Sequence, residues 1–272
     1  MPGMAAITRR HLTPSATGPA LRALAAWTPA DAPGGGLHPG DVGWHLRFDD
    51  AGVLLWSCDD VPVTVGVLDG TVLHVTTAPG ADLATLAADA VDLGADAVAG
   101  VSIPGWEPVA DQRWVVLSWA PRPVTSRAVP VTAADVADRV LVQRAAFTGS
   151  TFTVDRWHTM KQSPAGDLAV DVLVRTPAGE PAAAATGWFA GPGRCGLLEP
   201  VGTHDRHRGH GYGRDAVLGA CAALTGRGAS AVAVVTPADN QAAVALYRSA
   251  GFTVVRENLD RVRPDRTVAA PH

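Results

Sequence analysis

The stretch HDRHRGHGYGRD, residues 204–215, holds the densest set of potentially reactive groups in the chain. Three histidines lie three apart, His204, His207 and His210, among three glycines two apart, Gly209, Gly211 and Gly213. Either set could carry chemistry. Histidine is a frequent transition-metal ligand, and three of them could hold a catalytic zinc. The pattern argues against it. Helical metal-binding histidines favour a spacing of four, glycines raise the cost of ordering the ligands, and no HExxH or CxxC occurs. The other possibility is an anion cradle. A loop between a strand end and a helix start presents unpaired N–H groups where the helix dipole is positive, and glycine lets an anion approach without a Cβ in the way. Arg206, Arg208 and Arg214 add positive charge.

The type of cradle can be narrowed. A P-loop needs GxxxxGK[ST] and a dinucleotide fingerprint needs GxGxxG; neither is present. What fits is R-x-x-G-x-G at Arg208, Gly211 and Gly213, whose last glycine abuts the helix RDAVLGACAAL; Arg206, Gly209 and Gly211 offer a second register. Just upstream, Glu199 interrupts the apolar strand CGLLEPVGT. A carboxylate there can act as a general base, directly or through water, or can pair with an arginine at the strand end. Tyr247 is one of two tyrosines, the other being Tyr212 in the loop. Its phenol is a proton donor, or it is a core residue on an amphipathic helix.

These residues need a scaffold. Thr132, with Asp135 three residues on, caps a helix through ADVADRVLVQRAAF, and TVDRWHTMKQ (153–162) reads as a second, shorter helix. DLAVDVLVRT, PAAAATGWFA and CGLLEPVGT read as strands divided by tight turns. After the glycine loop come a helix with Val217, Cys221 and Leu224 on one face, the buried strand SAVAVVT, a helix starting at Asn240, and the strand FTVVRENLDRV. The order is α α β β β α β α β, an α/β (α+β) layer fold with a mixed sheet flanked by helices.

LGADAVAGVS (93–102) matches RGASAVAVVT (227–236), and the order of elements around the two segments repeats. The first copy lacks two things: the His/Gly loop and the segment DNQAAVALYRSA. Two copies of one fold are therefore expected, only the second carrying the functional segments. APRPVTSRAVP (120–130), with three prolines, marks the linker. The expected domains are 1–125, 126–263 and a flexible tail, 264–272.

The bulk properties set limits. The chain has 272 residues, 47% of them hydrophobic, and a net charge of −4, which speaks against general nucleic-acid binding. No apolar run has membrane-spanning length and the N-terminus lacks a signal-peptide core, so a soluble, cytoplasmic protein is expected. Cys58, Cys195 and Cys221 are too scattered for a disulfide or zinc framework. The oligomeric state is left open.

EPVGTHDRHRGHGYGRDAVLGACAAL followed by VAVVTPADNQAAVALYRSAGF resembles the two signature segments of the GNAT N-acetyltransferase superfamily. The tandem arrangement, with one degenerate copy, is similar to the layout of mycothiol synthase. The resemblance implies acetyl-CoA as acyl donor, no metal, and a primary amine of a small molecule as acceptor, joined by direct attack in a ternary complex. It implies that Arg208, Gly209, His210, Gly211, Tyr212, Gly213 and Arg214 hold the pyrophosphate. The backbone of Val201, Gly202 and Thr203 would pair with the pantetheine arm, which Asn240 would touch. Glu199 becomes the candidate base and Tyr247 the candidate acid. Arg156, Trp157 and Met160, on the short second helix, are candidates for the acceptor side. The histidines become loop residues. Asp205 stands near the place where the family commonly has a proline, an awkward charge beside a pyrophosphate. The alternatives are a non-catalytic acyl-CoA-binding module and a metal enzyme built on the histidines.

Overall fold

The computed structural model describes residues 7–33 and 35–263. The expected flexible tail, 264–272, lies outside the described residues. The N-terminal half contains β1 (Ile7–Leu12), α1 (Gly18–Trp27), α2 (Pro39–His45), β2 (Gly52–Cys58), β3 (Val61–Asp69), β4 (Val72–Thr77), α3 (Leu83–Asp92), β5 (Ala97–Ala99) and β6 (Glu107–Trp119). The C-terminal half contains β7 (Val129–Pro130), α4 (Val136–Ala146), α5 (Val154–Gln162), β8 (Ala169–Arg175), β9 (Pro181–Trp188), β10 (Cys195–Thr203), α6 (Tyr212–Gly226), β11 (Ala231–Pro237), α7 (Gln241–Ser249) and β12 (Thr253–Val262). The C-terminal order matches the one read from periodicity, with β7 added.

All strands join one 12-stranded mixed sheet in the order β1-β2-β3-β4-β5-β12-β6-β11-β10-β9-β8-β7. The two halves exchange their last strands. β12 leaves its own half to pair with β5, and β6 leaves its half to pair with β11. The sheet is thus continuous across the linker near residue 125. The repeat holds at the level of pairing: β4 and β5 run parallel from Val72↔Ala97, as β10 and β11 do from Cys195↔Ala231.

Apolar side chains pack on both faces. Val217, Cys221 and Leu224 of α6 are buried with Val172, Ala183 and Val232 of the sheet. On the opposite face, α1, α2 and α5 cover Val53, Val65, Trp188 and Leu197. The linker is pinned rather than loose: the Ser126 hydroxyl donates to the Asp215 carbonyl (2.7 Å), and the Arg122 guanidinium donates to the Ala250 carbonyl (2.8 Å). Among the described residues no helix is long and apolar enough to cross a membrane.

Candidate active site

The parallel pairing of β10 with β11 stops at Leu197↔Ala233, although both strands continue. Beyond that point the edge of β10 facing β11 is open, while its other edge stays paired to β9 through Val201↔Ala185, Gly202↔Ala184 and Thr203↔Ala183. A bulge between Leu198 and Val201 places one extra residue at Glu199–Pro200, and a bulge of this kind re-aims side chains next to it. Val201, Gly202 and Thr203 therefore lie along the open edge.

The glycine loop follows directly. Gly209 and Gly211 adopt the left-handed region, φ +79° and +81°. Gly211 is the N-cap of α6 and offers no side chain to the helix start. The N–H groups of Gly209, His210 and Gly211 meet no acceptor among the described residues. Gly213 must be glycine for a steric reason: a Cβ there would meet the Thr203 Oγ1 at 2.5 Å. The contrast with the N-terminal half is direct. There Asp82 caps α3, accepting hydrogen bonds from Ala84 N and Thr85 N, so a built-in carboxylate occupies the helix start.

The charged residues of the loop are held by the protein. Arg208 donates to the Ala146 carbonyl (3.1 Å), and Arg214 donates to the Ser249 carbonyl (2.9 Å). Asp205 turns back on its own loop: it accepts from Arg206 N (2.8 Å) and lies 2.8 Å from His204 Nδ1. His207 faces Glu180 at 3.6 Å, and His210 stacks on Tyr212. His204 and His207 also pack on each other, and His207 lies edge-on to Tyr212. Tyr212 is buried beneath Arg127, which lies over its ring and pairs with Asp215. Arg127 sits in the linker, where sequence patterns gave no reason to look, and its guanidinium stands beside Gly211. Asn240 spends its carboxamide oxygen as the N-cap of α7, accepting from Ala243 N (3.1 Å).

Glu199 opens into a cavity of about 270 Å³ between the two halves. Its carboxyl faces that of Asp41 on α2, and burial together with that neighbour holds Glu199 well above the usual carboxylate range. The Oε2 atom is buried and receives no donor among the described residues. Local geometry brings the two acids together. Gly40 and Gly43, three apart on α2, lie flat on the Trp188 indole, so closely that a Cβ on either would meet the ring at 2.4 Å. The Trp188 Nε1–H in turn donates to the Glu199 carbonyl (2.6 Å). His38 fastens the start of α2: its Nδ1 accepts from Gly40 N, which leaves Nε2–H to donate to the Cys195 carbonyl (3.0 Å).

Tyr247 is buried on α7 near Phe252. Burial, reinforced by the charge of Glu199, pushes its phenol up, so it stays protonated at neutral pH. The residues expected on the acceptor side are placed elsewhere. Met160 is fully buried in the core. Trp157 is buried and donates its Nε1–H to Asp171 (3.3 Å), within the Arg139–Asp171–Thr186 network. Arg156 lies outside the Glu199 cavity, in a second depression beside Arg47 and Phe48.

The model of the acetyltransferase (GNAT) family matches residues 143–252, from α4 through Phe252. In this segment the chain is similar to the GNAT acetyltransferases. The whole chain has the tandem GNAT fold. It superposes on a tandem GNAT protein from the clavulanic acid biosynthesis pathway with a TM-score of 0.57 and 15% identity, covering 94% of this chain and 98% of that one. A GNAT acetyltransferase from Colwellia psychrerythraea gives 0.56 at 12% identity over 94% and 98%. A GCN5-related N-acetyltransferase from Sphaerobacter thermophilus gives 0.53 at 19% identity over 96% and 98%. No curated protein matches the sequence. At the end of β4 in the N-terminal half the corresponding place is closed. Gly36 and Gly100 are packed against the Val75 carbonyl, and the Thr76 hydroxyl donates to the Leu37 carbonyl (3.1 Å). The chain's own backbone fills that ground.

Proposed function

We propose that the protein is an N-acetyltransferase acting from acetyl-CoA on a primary amine of a small molecule, by direct attack in a ternary complex. The observation that carries this reading is one alignment. An open strand edge runs from a buried carboxyl, Glu199, to a helix start whose amides are uncapped. The described residues fit acetyl-CoA. The amides from Gly209 to Gly213, with Arg208, Arg214 and Arg127 close by, suit a pyrophosphate, and the free edge at Val201–Thr203 suits an amide-bearing arm. Asn240 would serve there through the position of α7, since its carboxamide oxygen is already bonded. When bound, acetyl-CoA supplies an acetyl group activated as a thioester.

The residues divide the proton work. An alkylammonium has a pKa of about 10.4 and must lose a proton to become a nucleophile. Glu199, whose pKa is raised above that of an ordinary carboxyl, is the better placed to receive it, because a stronger base takes a proton more readily. Tyr247 keeps a phenolic proton available for a departing thiolate. His204, His207 and His210 have no role in this chemistry. A cytoplasmic site of action belongs to the same reading.

The test is amine-dependent release of the coenzyme A thiol over a panel of primary amines. Turnover that falls about 10²- to 10⁴-fold in Glu199→Gln supports the assignment of the base. No amine-dependent release from a protein that binds acetyl-CoA would leave a non-catalytic acyl-CoA-binding module as the better description.

A further inference from the structure

The cavity beside Glu199 is built largely by residues outside the GNAT domain. Asp41 comes from α2, Asp69 from the end of β3, His74 from β4 and Asp260 from the exchanged strand β12. Four carboxyls, those of Asp41, Asp69, Glu199 and Asp260, therefore line one cavity. Little positive charge answers them. His74 feels Asp41, Asp69 and Asp260 together, yet burial outweighs them and holds it toward the neutral imidazole. His45 lies 3.5 Å from Asp69. Arg47 is the strong cation that Glu199 and Asp69 feel; its guanidinium donates to the Trp44 carbonyl and rests over the Trp44 and Phe48 rings. Burial depresses it to about 10, so it keeps its charge at neutral pH.

Carboxylates gathered at one cavity repel one another unless a cation answers them; of these four, Asp69 is largely exposed and faces His45, and Asp41, Glu199 and Asp260 are partly buried. Two observations indicate what pairs them. The Glu199 Oε2 atom is buried, lacks a donor and lines the cavity. Asp260, on β12, also lines the cavity; its carboxyl takes a hydrogen bond from the Trp114 indole (3.2 Å), and burial pushes it up. Leu37, Val75 and Leu198 make the remaining wall apolar. At about 270 Å³ the space lies just below the range of drug-sized ligand pockets.

We propose that this cavity is the acceptor site and that it selects a small aliphatic amine carrying a second cationic centre. The reacting amine lies at Glu199, the alkyl stem on the apolar wall, and the second ammonium at Asp69 and Asp260. The inference rests on the acetyltransfer reading for the Glu199 end only; selection of a dication is a matter of binding. On this account the N-terminal half is the part that chooses the acceptor.

The experiment uses the full chain with 1,4-diaminobutane and butylamine. Thermal stabilisation by each amine is read with and without acetyl-CoA, and kcat/KM is read for acetylation of each. The diamine is expected to stabilise the protein at concentrations where butylamine does not, and to have a kcat/KM about ten- to a hundredfold higher, the worth of one charge-assisted contact. In Asp69→Asn, and independently in Asp260→Asn, the ratio of the two kcat/KM values is expected to fall toward one. A general loss of fold would lower both values and leave their ratio in place, so the ratio reports recognition. Equal stabilisation by both amines, or a ratio unmoved in both variants, would overturn the proposal. Failure of acetyl-CoA to bind, with the diamine still stabilising the protein, would overturn the acetyltransfer reading and support the cation site.

Discussion

Asp41 and Glu199 stand carboxyl to carboxyl across the junction of the two halves. Neither half could make this pair alone: Asp41 rides on α2 of the N-terminal copy and Glu199 on the bulge of β10. Two glycines of α2 lying on Trp188, and the bond from that indole to the Glu199 carbonyl, hold the distance. The neighbouring Asp41 carboxyl disfavours a charge on Glu199 and so raises its pKa beyond what burial does alone.

The pH profile follows from that pair. With Glu199 as base, kcat/KM rises with pH as its carboxyl loses its proton. Removing the neighbouring charge favours ionisation, so Asp41→Asn should move the rising limb to lower pH. Glu199→Gln should abolish the limb assigned to it. Profiles for the three proteins, measured with one amine, check this; a limb in Asp41→Asn at or above the wild-type position speaks against the pair.

Stability should carry the same signature. The folded-state pKa of Glu199 is raised above its ordinary value of 4.5. Between those two values the folded chain holds a proton that the unfolded chain has lost, so this residue's contribution to stability falls as pH rises. Glu199→Gln has no such slope. Urea midpoints of wild type and variant should agree near pH 4.5 and diverge toward pH 8, with the variant the more stable. Parallel curves would show that Glu199 does not titrate in this way.

The buried pair of Arg139 and Asp171, 3.3 Å apart with side chains 1% and 3% exposed, ties α4 to β8. Thr186 donates to the same carboxylate at 2.6 Å, and Trp157 to its other oxygen. Asp171→Ala strands a guanidinium in the core and should cost about 3–5 kcal/mol, read from denaturant midpoints. An effect below about 1 kcal/mol would mean that water reaches Arg139.

The phosphate loop makes a sharper steric prediction. Gly213→Ala puts a methyl group 2.5 Å from the Thr203 Oγ1, so the Thr203 side chain or the backbone around it must shift. Acetyl-CoA affinity should drop about tenfold, whereas Gly226→Ala in the last turn of α6, where a Cβ meets nothing within 4 Å, should leave it unchanged. Calorimetric Kd values for both variants decide the matter.

Much of the C-terminal half could be read from the chain because its signals are local. Thr132 and Asp135 do form a capping box, the apolar runs from Ala169 to Thr203 do form three antiparallel strands, and Asn240 does begin α7. The internal repeat surfaced in the pairing of β5 and β11. What escaped is non-local. Nothing in the pattern of Glu107–Trp119 or Thr253–Val262 tells a strand which copy to join, so the exchange of β6 and β12 is a tertiary decision. Asp41, Asp69 and Asp260 are ordinary acids on three separate elements and become a cluster only through that exchange. Trp157 and Met160 show the reverse: their place on the short second helix made them candidates for the acceptor side, and packing took them into the core. Asp205, at odds with an anion site on paper, is spent on its own turn.

The central claim is that the chain carries one acetyl-CoA site, at the Gly209–Arg214 loop, because the equivalent place in the N-terminal half is filled by Gly36 and the start of α3 is capped by Asp82. Calorimetric titration with acetyl-CoA tests it most directly. The wild type should bind one molecule per chain. Gly211→Glu, which sets a carboxylate on a residue at φ +81° beside the free amides, should bind none while keeping its fold by circular dichroism. Two molecules per chain, no binding to the wild type, or unchanged binding in Gly211→Glu would contradict it.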